Sequence, residues 1–472
     1  MVDNLLNSIV SFLWGPPLLV LLLGTGVYFS VLTRCWQIRN FFKAFKHCFF
    51  TKDSNDNDSG NNISSYEAAS VAIAGSIGAG NIGGVAGAIA LGGPGVVFWL
   101  WATALVGMMT KMVEVTLAVY FREKNNEGKF IGGPTFYMEK GLGSKGFPWK
   151  IIAIVFSVGI LLQMFLSPEN FSVSESMYEL IGVDRIWGGV IYAIACWVVI
   201  YGGLSRVAKF ASLMMPFMSL TYLILGLWII VVNYERLPEV ITLIFRNAFT
   251  PTAAVGGFAG ATFMITVRTG IARGLFSNEA GWGTSPMVHA SARNKHPIEQ
   301  GMWGMMEVFI DTMVVCTITA LVILVSGEWA SGAAGVTLTM RSFQHGLGGF
   351  AKYFIAIALF LFCWTTQTGW FCYHQMLIKH VFRDYPKACN FLAKAQQCTQ
   401  PLYGLIMTIL IVIFGVQTKY AWLVVDISSA IPTFINLFVI IFLTKKFLSV
   451  LNDFEGPKKL YGKELYDSVK ID

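Results

Sequence analysis

The sequence predicts an all-α polytopic membrane protein with about eleven transmembrane helices, and three observations carry that prediction. Of its 472 residues, 55% are hydrophobic and only 13% charged, with a mean hydropathy of +0.61, whereas soluble domains are about 25% charged. Hydrophobic maxima long enough to cross ~30 Å of hydrocarbon fall near 14–34, 66–92, 94–122, 148–166, 186–203, 207–233, 250–275, 300–326, 349–379, 399–416 and 420–444, numbered spans 1 to 11. Of the 34 Lys and Arg residues, 27 lie in alternate connecting segments and the tail, 6 lie in the other connections, and Lys111 falls inside a span. Positive residues are retained on the cytoplasmic side, so the asymmetry predicts a multi-pass cell (inner) membrane protein with its N-terminus outside and its C-terminus in the cytoplasm.

Span 1 has the length of a signal peptide. Its start, Met1-Val2-Asp3-Asn4, is not basic and no small-residue cleavage site precedes Arg34, so it is kept as a helix. Residues 36–50 (WQIRNFFKAFKHCFF) alternate aromatic and basic groups at helical spacing, which predicts a helix lying on anionic lipid. Thr51 to Asn62 is polar and reads as an inner loop. The eight cysteines, at 35, 48, 196, 316, 363, 372, 389 and 398, show no C-x-x-C spacing and sit mostly in or beside apolar runs. They read as small buried hydrophobes rather than a disulfide framework or metal cluster. The net charge of +7 follows membrane topology, and nothing supports nucleic-acid binding. The six histidines form no H-E-x-x-H and there is no G-x-S-x-G, so no enzyme is expected.

The most informative stretch is Ala74-Gly75-Ser76-Ile77-Gly78-Ala79-Gly80-Asn81-Ile82-Gly83-Gly84, in the middle of span 2. Each glycine weakens a helix by ~1 kcal/mol relative to alanine, and five within ten residues predict a break. Backbone groups freed at membrane depth are tolerated only where they line a cavity or hold a ligand, and secondary transporters bind substrate and ion at such breaks. The alternative is a packing face, because Gly75, Ala79 and Gly83 recur every four residues; Asn81, polar at that depth, favours the break. Ionisable residues inside spans are further candidates. Lys111 and Glu114, at i and i+3, are expected to pair structurally. Glu307 and Asp311, at i and i+4, should repel unless a cation or proton lies between them. Asp426 is a lone carboxylate in span 11.

Five blocks, GSIGAGNIGGVAGAIALGGPGVVFWLW, GGPTFYMEKGLG (132–143), ARGLFSNEAGWGTSP (272–286), HASARNKHP and VFIDTMVVCTITALVIL, resemble signature segments of the alanine or glycine:cation symporter family, over about residues 60–445. The resemblance implies import of a small neutral amino acid, alanine or glycine, coupled to sodium. It also implies a leucine-transporter-like fold, an inverted five-plus-five repeat with discontinuous helices at the midplane. The repeats would cover 66–235 and 236–445, after an extra helix and amphipathic segment (1–65) and before a cytoplasmic tail (446–472). Its partners would be the amino acid and the bilayer, with no obligate protein partner evident. A proton-coupled symporter, one for another small amino acid, or an ion channel are the alternatives.

By the same resemblance, Gly78-Ala79-Gly80-Asn81 would set the substrate carboxylate against amides near Ser76, Ala79 and Gly80, with Asn81 close by. Carbonyls of Ala74 and Ile77 and hydroxyls of Thr365 and Thr366 would hold sodium, since hard cations take oxygen ligands; the alternative is that each threonine bonds back to its own helix. The glycine cluster Gly256–Phe263 reads as a second break, with Phe258 and Thr262 facing substrate. Trp370, one turn beyond Thr366, would wall the cavity. Gln163 is the one intramembrane polar candidate in Leu162–Asn170. Arg268, Arg273, Asn278 and Glu279 are expected to form an inner gate. Asp311 falls in the family-like FIDT, while Glu307 stands where a small residue is expected.

Overall fold

A computed structural model describes residues 2–51, 62–125, 128–165, 167–253, 258 and 260–456. The chain is a bundle of long helices. Span 1 runs from Ser8 to Leu32, with Pro16 restarting it after Gly15. The amphipathic segment forms Trp36–Arg39 and Phe41–Phe50; Phe42 and Phe50 are exposed while Ala44 and Cys48 are buried, as its pattern requires. Span 2 begins with a reciprocal cap between Ser64 and Glu67, runs Ser65–Ser76, and resumes bent by 47° as Gly80–Gly92. Spans 3, 6, 9 and 10 are Val96–Tyr120, Gly203–Val232, Phe350–Val381 and Pro386–Phe414. Span 8, Pro297–Ser326, is wound in wide π-helical turns over Phe309–Cys316, and span 11 is Thr418–Phe442.

Among the described residues, eight helices are long and apolar enough to cross a membrane and the bent pair makes nine. Arg185–Ile200 and Phe263–Asn278 occupy the places expected for spans 5 and 7. Span 4 departs from expectation. Its helix Trp149–Met164 resumes at Pro168 and continues to Ile181, so most of the expected outer loop is helical. Proline lacks an N–H and disfavours helix in the residue before it, which accounts for the helix stopping at Met164 and resuming at Pro168. The glycine cluster expected to break span 7 lies partly outside the described residues; Thr252 and Ala261 pair as an isolated bridge and Thr262 caps the helix that follows.

Span 3 packs along spans 7 and 8, and span 9 along spans 2 and 6. A two-residue parallel pairing joins Ile63–Ser64, where span 2 begins, to Ala292–Arg293, beyond span 7. Between spans 3 and 4, the turn Met138–Leu142 carries Glu139, which accepts from His380 Nε2 at 2.9 Å and from Arg383. Burial alone would raise the pKa of Glu139; the bonds from His380 and Arg383 outweigh it and hold the group down at about 2, against an ordinary 4.5. A depressed carboxylate contributes stability above its unfolded pKa and loses it as pH falls through the folded one. Melting temperature in detergent is therefore expected to fall between pH 4.5 and 2, with this part of the decline missing in Glu139→Gln; an identical profile in the variant contradicts the assignment.

Candidate functional site

The break in span 2 follows from where its hydrogen bonds go. In an unbroken helix the Gly78 N–H would bond to Ala74 O and the Asn81 N–H to Ile77 O. Instead Gly78 N–H donates to Asn81 Oδ1 at 2.9 Å and Asn81 N–H donates to Gly78 O at 3.2 Å. Two carbonyls are thereby released at the C-terminal, partially negative end of Ser65–Ser76. Asn81 is fully buried, and its Nδ2 donates to Asp311 Oδ1 at 2.6 Å and Ser277 Oγ at 3.0 Å. It makes the break rather than facing the cavity, which corrects its expected place beside substrate.

Both released carbonyls meet span 9 at one hydroxyl. Thr366 Oγ1 lies 3.1 Å from Ile77 O and 3.4 Å from Ala74 O. Oxygens held ~2.4 Å from a hard cation at right angles stand about 3.4 Å apart, and the two separations from Thr366 Oγ1 are close to that spacing. Gly78 is required for the approach, since a Cβ there would fall 2.7 Å from Thr366 Oγ1. Thr365 does not join them. Its hydroxyl donates to Leu361 O at 3.1 Å and Phe362 O at 3.0 Å of its own helix and lies against Met218. Successive helical residues point about 100° apart, so one of the pair faces span 2 and the other cannot. Among the described residues there is no group of three or more His, Cys, Asp or Glu side chains able to hold a metal.

Among the described residues, a second break lies in Glu279–Ser285, beyond the span 7 helix; the 256–263 cluster falls partly outside them. Glu279, Gly281 and Gly283 have φ of +53°, +91° and +85°, a left-handed conformation that stops a helix and that glycine adopts without strain. Charged side chains from neighbouring spans hold the segment. Lys111 Nζ donates to Glu279 O and Ser285 Oγ, each at 2.9 Å, and lies 3.4 Å from Glu307 Oε1. Glu307 Oε2 also accepts from Ser285 Oγ and contacts His289 Nε2 at 3.1 Å. Glu114 accepts from Gly281 N–H at 3.0 Å and from Asn436. All three charged residues are fully buried. Lys111 therefore pairs across helices rather than with Glu114, and Glu307 and Asp311 bond to separate side chains.

Between the breaks lies a cavity of about 70 Å³ lined by Gly75, Ser76, Gly78, Ala79, Gly80, Gln163, Glu169, Glu279, Trp282, Thr366 and Trp370 among others. Trp282 and Trp370 stand edge-to-face at 5.3 Å, and Phe276 is 5.8 Å from Trp282. Gln163 Nε2 and Trp282 Nε1 are buried without a hydrogen-bond partner. Phe258 and Thr262 are not part of this wall: Phe258 packs on Trp329, and Thr262 Oγ1 accepts from Ile265 N–H. Phe276, Ala79 and Gly80 also line a second cavity of about 640 Å³, together with Arg268, Arg273 and Asp426. Arg268 and Arg273 thus lie on the side where the span 7 helix begins. Asn278 bonds Thr312 Oγ1 and Ala280 N–H, and Glu279 faces the small cavity, so the four do not form one inner gate. Phe276, Trp282 and Glu169 were not anticipated; the Gly281-Trp282-Gly283 spacing was the available signal for the first two.

Residues 1–467 match the sodium:alanine symporter family. A Bacillus subtilis (strain 168) protein named uncharacterized transporter YflA is 36% identical over 465 residues, covering 98% of this chain and 95% of its own length. The sodium/alanine symporter AgcS of Methanococcus maripaludis is 36% identical over 387 residues, covering 80% and 83%. Among solved structures, MhsT in complex with L-phenylalanine is similar at a TM-score of 0.58 and 12% identity, over 81% of this chain and 91% of that one. That likeness is one of fold, the leucine-transporter fold expected from the sequence. The family and these relatives are transporters rather than enzymes. With a match that runs nearly end to end on a shared fold, the chain belongs to the sodium:alanine symporter family.

Proposed function

We propose that the protein imports a small neutral amino acid, alanine or glycine, by symport with sodium, through alternating access around the 70 Å³ cavity. The observation that carries this reading is the meeting of Ala74 O and Ile77 O with the hydroxyl of Thr366, a residue that lines that cavity. The ion would sit at the negative end of Ser65–Ser76, and the substrate carboxylate at the positive end of Gly80–Gly92 beside Ser76, Gly78, Ala79 and Gly80. Room for about five to seven water-sized groups, at roughly 10–15 Å³ each, suits an amino acid about the size of alanine. Gln163, Trp282 and Trp370 bound its side chain. The name of the 36% identical relative AgcS, a sodium/alanine symporter, supports both solutes. In this reading the N-terminus is outside the cell membrane, the C-terminus is cytoplasmic, and the 640 Å³ cavity is an outer vestibule closed off from the substrate by Phe276.

The test is uptake of labelled alanine and glycine into proteoliposomes. An inward sodium gradient is expected to drive accumulation of at least one of them. Uptake that ignores sodium and follows a proton gradient instead contradicts the cation assignment.

A further inference from the structure

The small cavity contains a carboxylate with no cation of its own. Glu169 stands in the first turn of Pro168–Ile181, where the helix of span 4 resumes, and lines the cavity together with Gly80. Its Oε2 accepts from Ser167 Oγ at 3.0 Å, and among the described residues no Lys, Arg or His side chain pairs with it. The other carboxylate on the wall is differently placed. Glu279 accepts from Thr284 Oγ1, and Lys111 Nζ is bonded to its backbone carbonyl. A negative charge at membrane depth is unfavourable unless it is matched. Among the described residues no matching charge stands beside Glu169, and the place for it is in the cavity.

Resting on the proposed amino-acid transport, we propose that Glu169 binds the α-ammonium group of the substrate, and that this ion pair is how the site selects amino acids over other small carboxylates. A zwitterion suits the two sides of the cavity. Its carboxylate meets the amides that open Gly80–Gly92 across the break, and its ammonium meets Glu169 at the start of Pro168–Ile181. A 2-hydroxy acid or a plain carboxylate of the same size would satisfy the first contact and leave Glu169 uncompensated. Leaving a buried charge unpaired penalises the wrong ligand more than a missing contact does. A purely structural role is the competing account, because a glutamate in a first helical turn is favoured by the helix dipole alone.

The experiment is sodium-dependent binding of alanine to the purified full-length protein by scintillation proximity, with L-lactate and propionate as competitors. Wild-type protein is expected to prefer alanine to lactate by at least a hundredfold. Glu169→Gln is expected to weaken alanine at least tenfold without weakening lactate, so that the preference collapses, while Glu169→Asp retains most of it. A Glu169→Gln protein with a lower melting temperature but the wild-type preference overturns the inference in favour of the structural role. Should that variant not fold, wild-type protein that binds lactate within tenfold of alanine overturns it equally. Wild-type protein that binds no small neutral amino acid refutes the proposed function instead, a result distinct from either of these.

Discussion

Thr366→Val is expected to weaken the response of amino-acid uptake to sodium at least tenfold, while Thr365→Val, one residue away, leaves it intact. Valine replaces the hydroxyl by a methyl at nearly constant volume, so both variants keep their packing. Only the first removes an oxygen from the point where Ala74 O and Ile77 O converge. The second removes a hydroxyl already satisfied by Leu361 O and Phe362 O. A contact to a charged group contributes roughly 1.5–3 kcal/mol, so the sodium concentration for half-maximal uptake should rise at least tenfold in Thr366→Val. Uptake measured against sodium concentration in proteoliposomes checks this. Unchanged activation in Thr366→Val, or an equal loss in Thr365→Val, moves the ion elsewhere.

Lys111→Met is expected to be the most destabilising single change of a charged residue in the bundle. Lys111 is fully buried, holds both ends of the second break through Glu279 O and Ser285 Oγ, and is the cationic neighbour of Glu307. Removing one member of a buried pair strands the other charge and costs about 3–5 kcal/mol. The double variant Lys111→Met/Glu307→Gln should recover part of that loss, because no stranded carboxylate remains. Recovery should be incomplete, since the hydrogen bonds to the broken segment stay absent. Melting temperatures of the four proteins of the cycle, in one detergent, give the comparison. Equal stability of Lys111→Met and wild type removes the clamp from the account of this segment.

The positions of the spans were legible because hydropathy over some twenty residues is a property of composition, and the first break was legible because five glycines crowd it. The second break was masked by a more conspicuous glycine cluster at 256–260, while the residues that stop the helix, Glu279, Gly281 and Gly283, are separated by alanine and tryptophan. Thr365 and Thr366 were indistinguishable in sequence, since which face of a helix meets its neighbour is decided by packing. Spacing paired Lys111 with Glu114; in three dimensions Glu307, from a helix nearly two hundred residues on, is the closer charge. Glu169 was passed over because Ser167, Pro168 and Asn170 beside it lower local hydropathy, so the span read as ending before it.

The pairing of Ile63–Ser64 with Ala292–Arg293 acts as a cross-tie. It joins the start of one interrupted helix to the chain just beyond the other, and Ser65 Oγ adds a bond to Arg293 O at 2.8 Å. Any hinge motion that swings Ser65–Ser76 away from the bundle must drag the far strand along or tear these bonds. Because the same lever begins at the tie and ends at the Ala74 and Ile77 carbonyls, displacement at one rim of the protein is expected to reach the oxygens proposed to hold the ion. Movement of one interruption is thus expected to load the tie to the other.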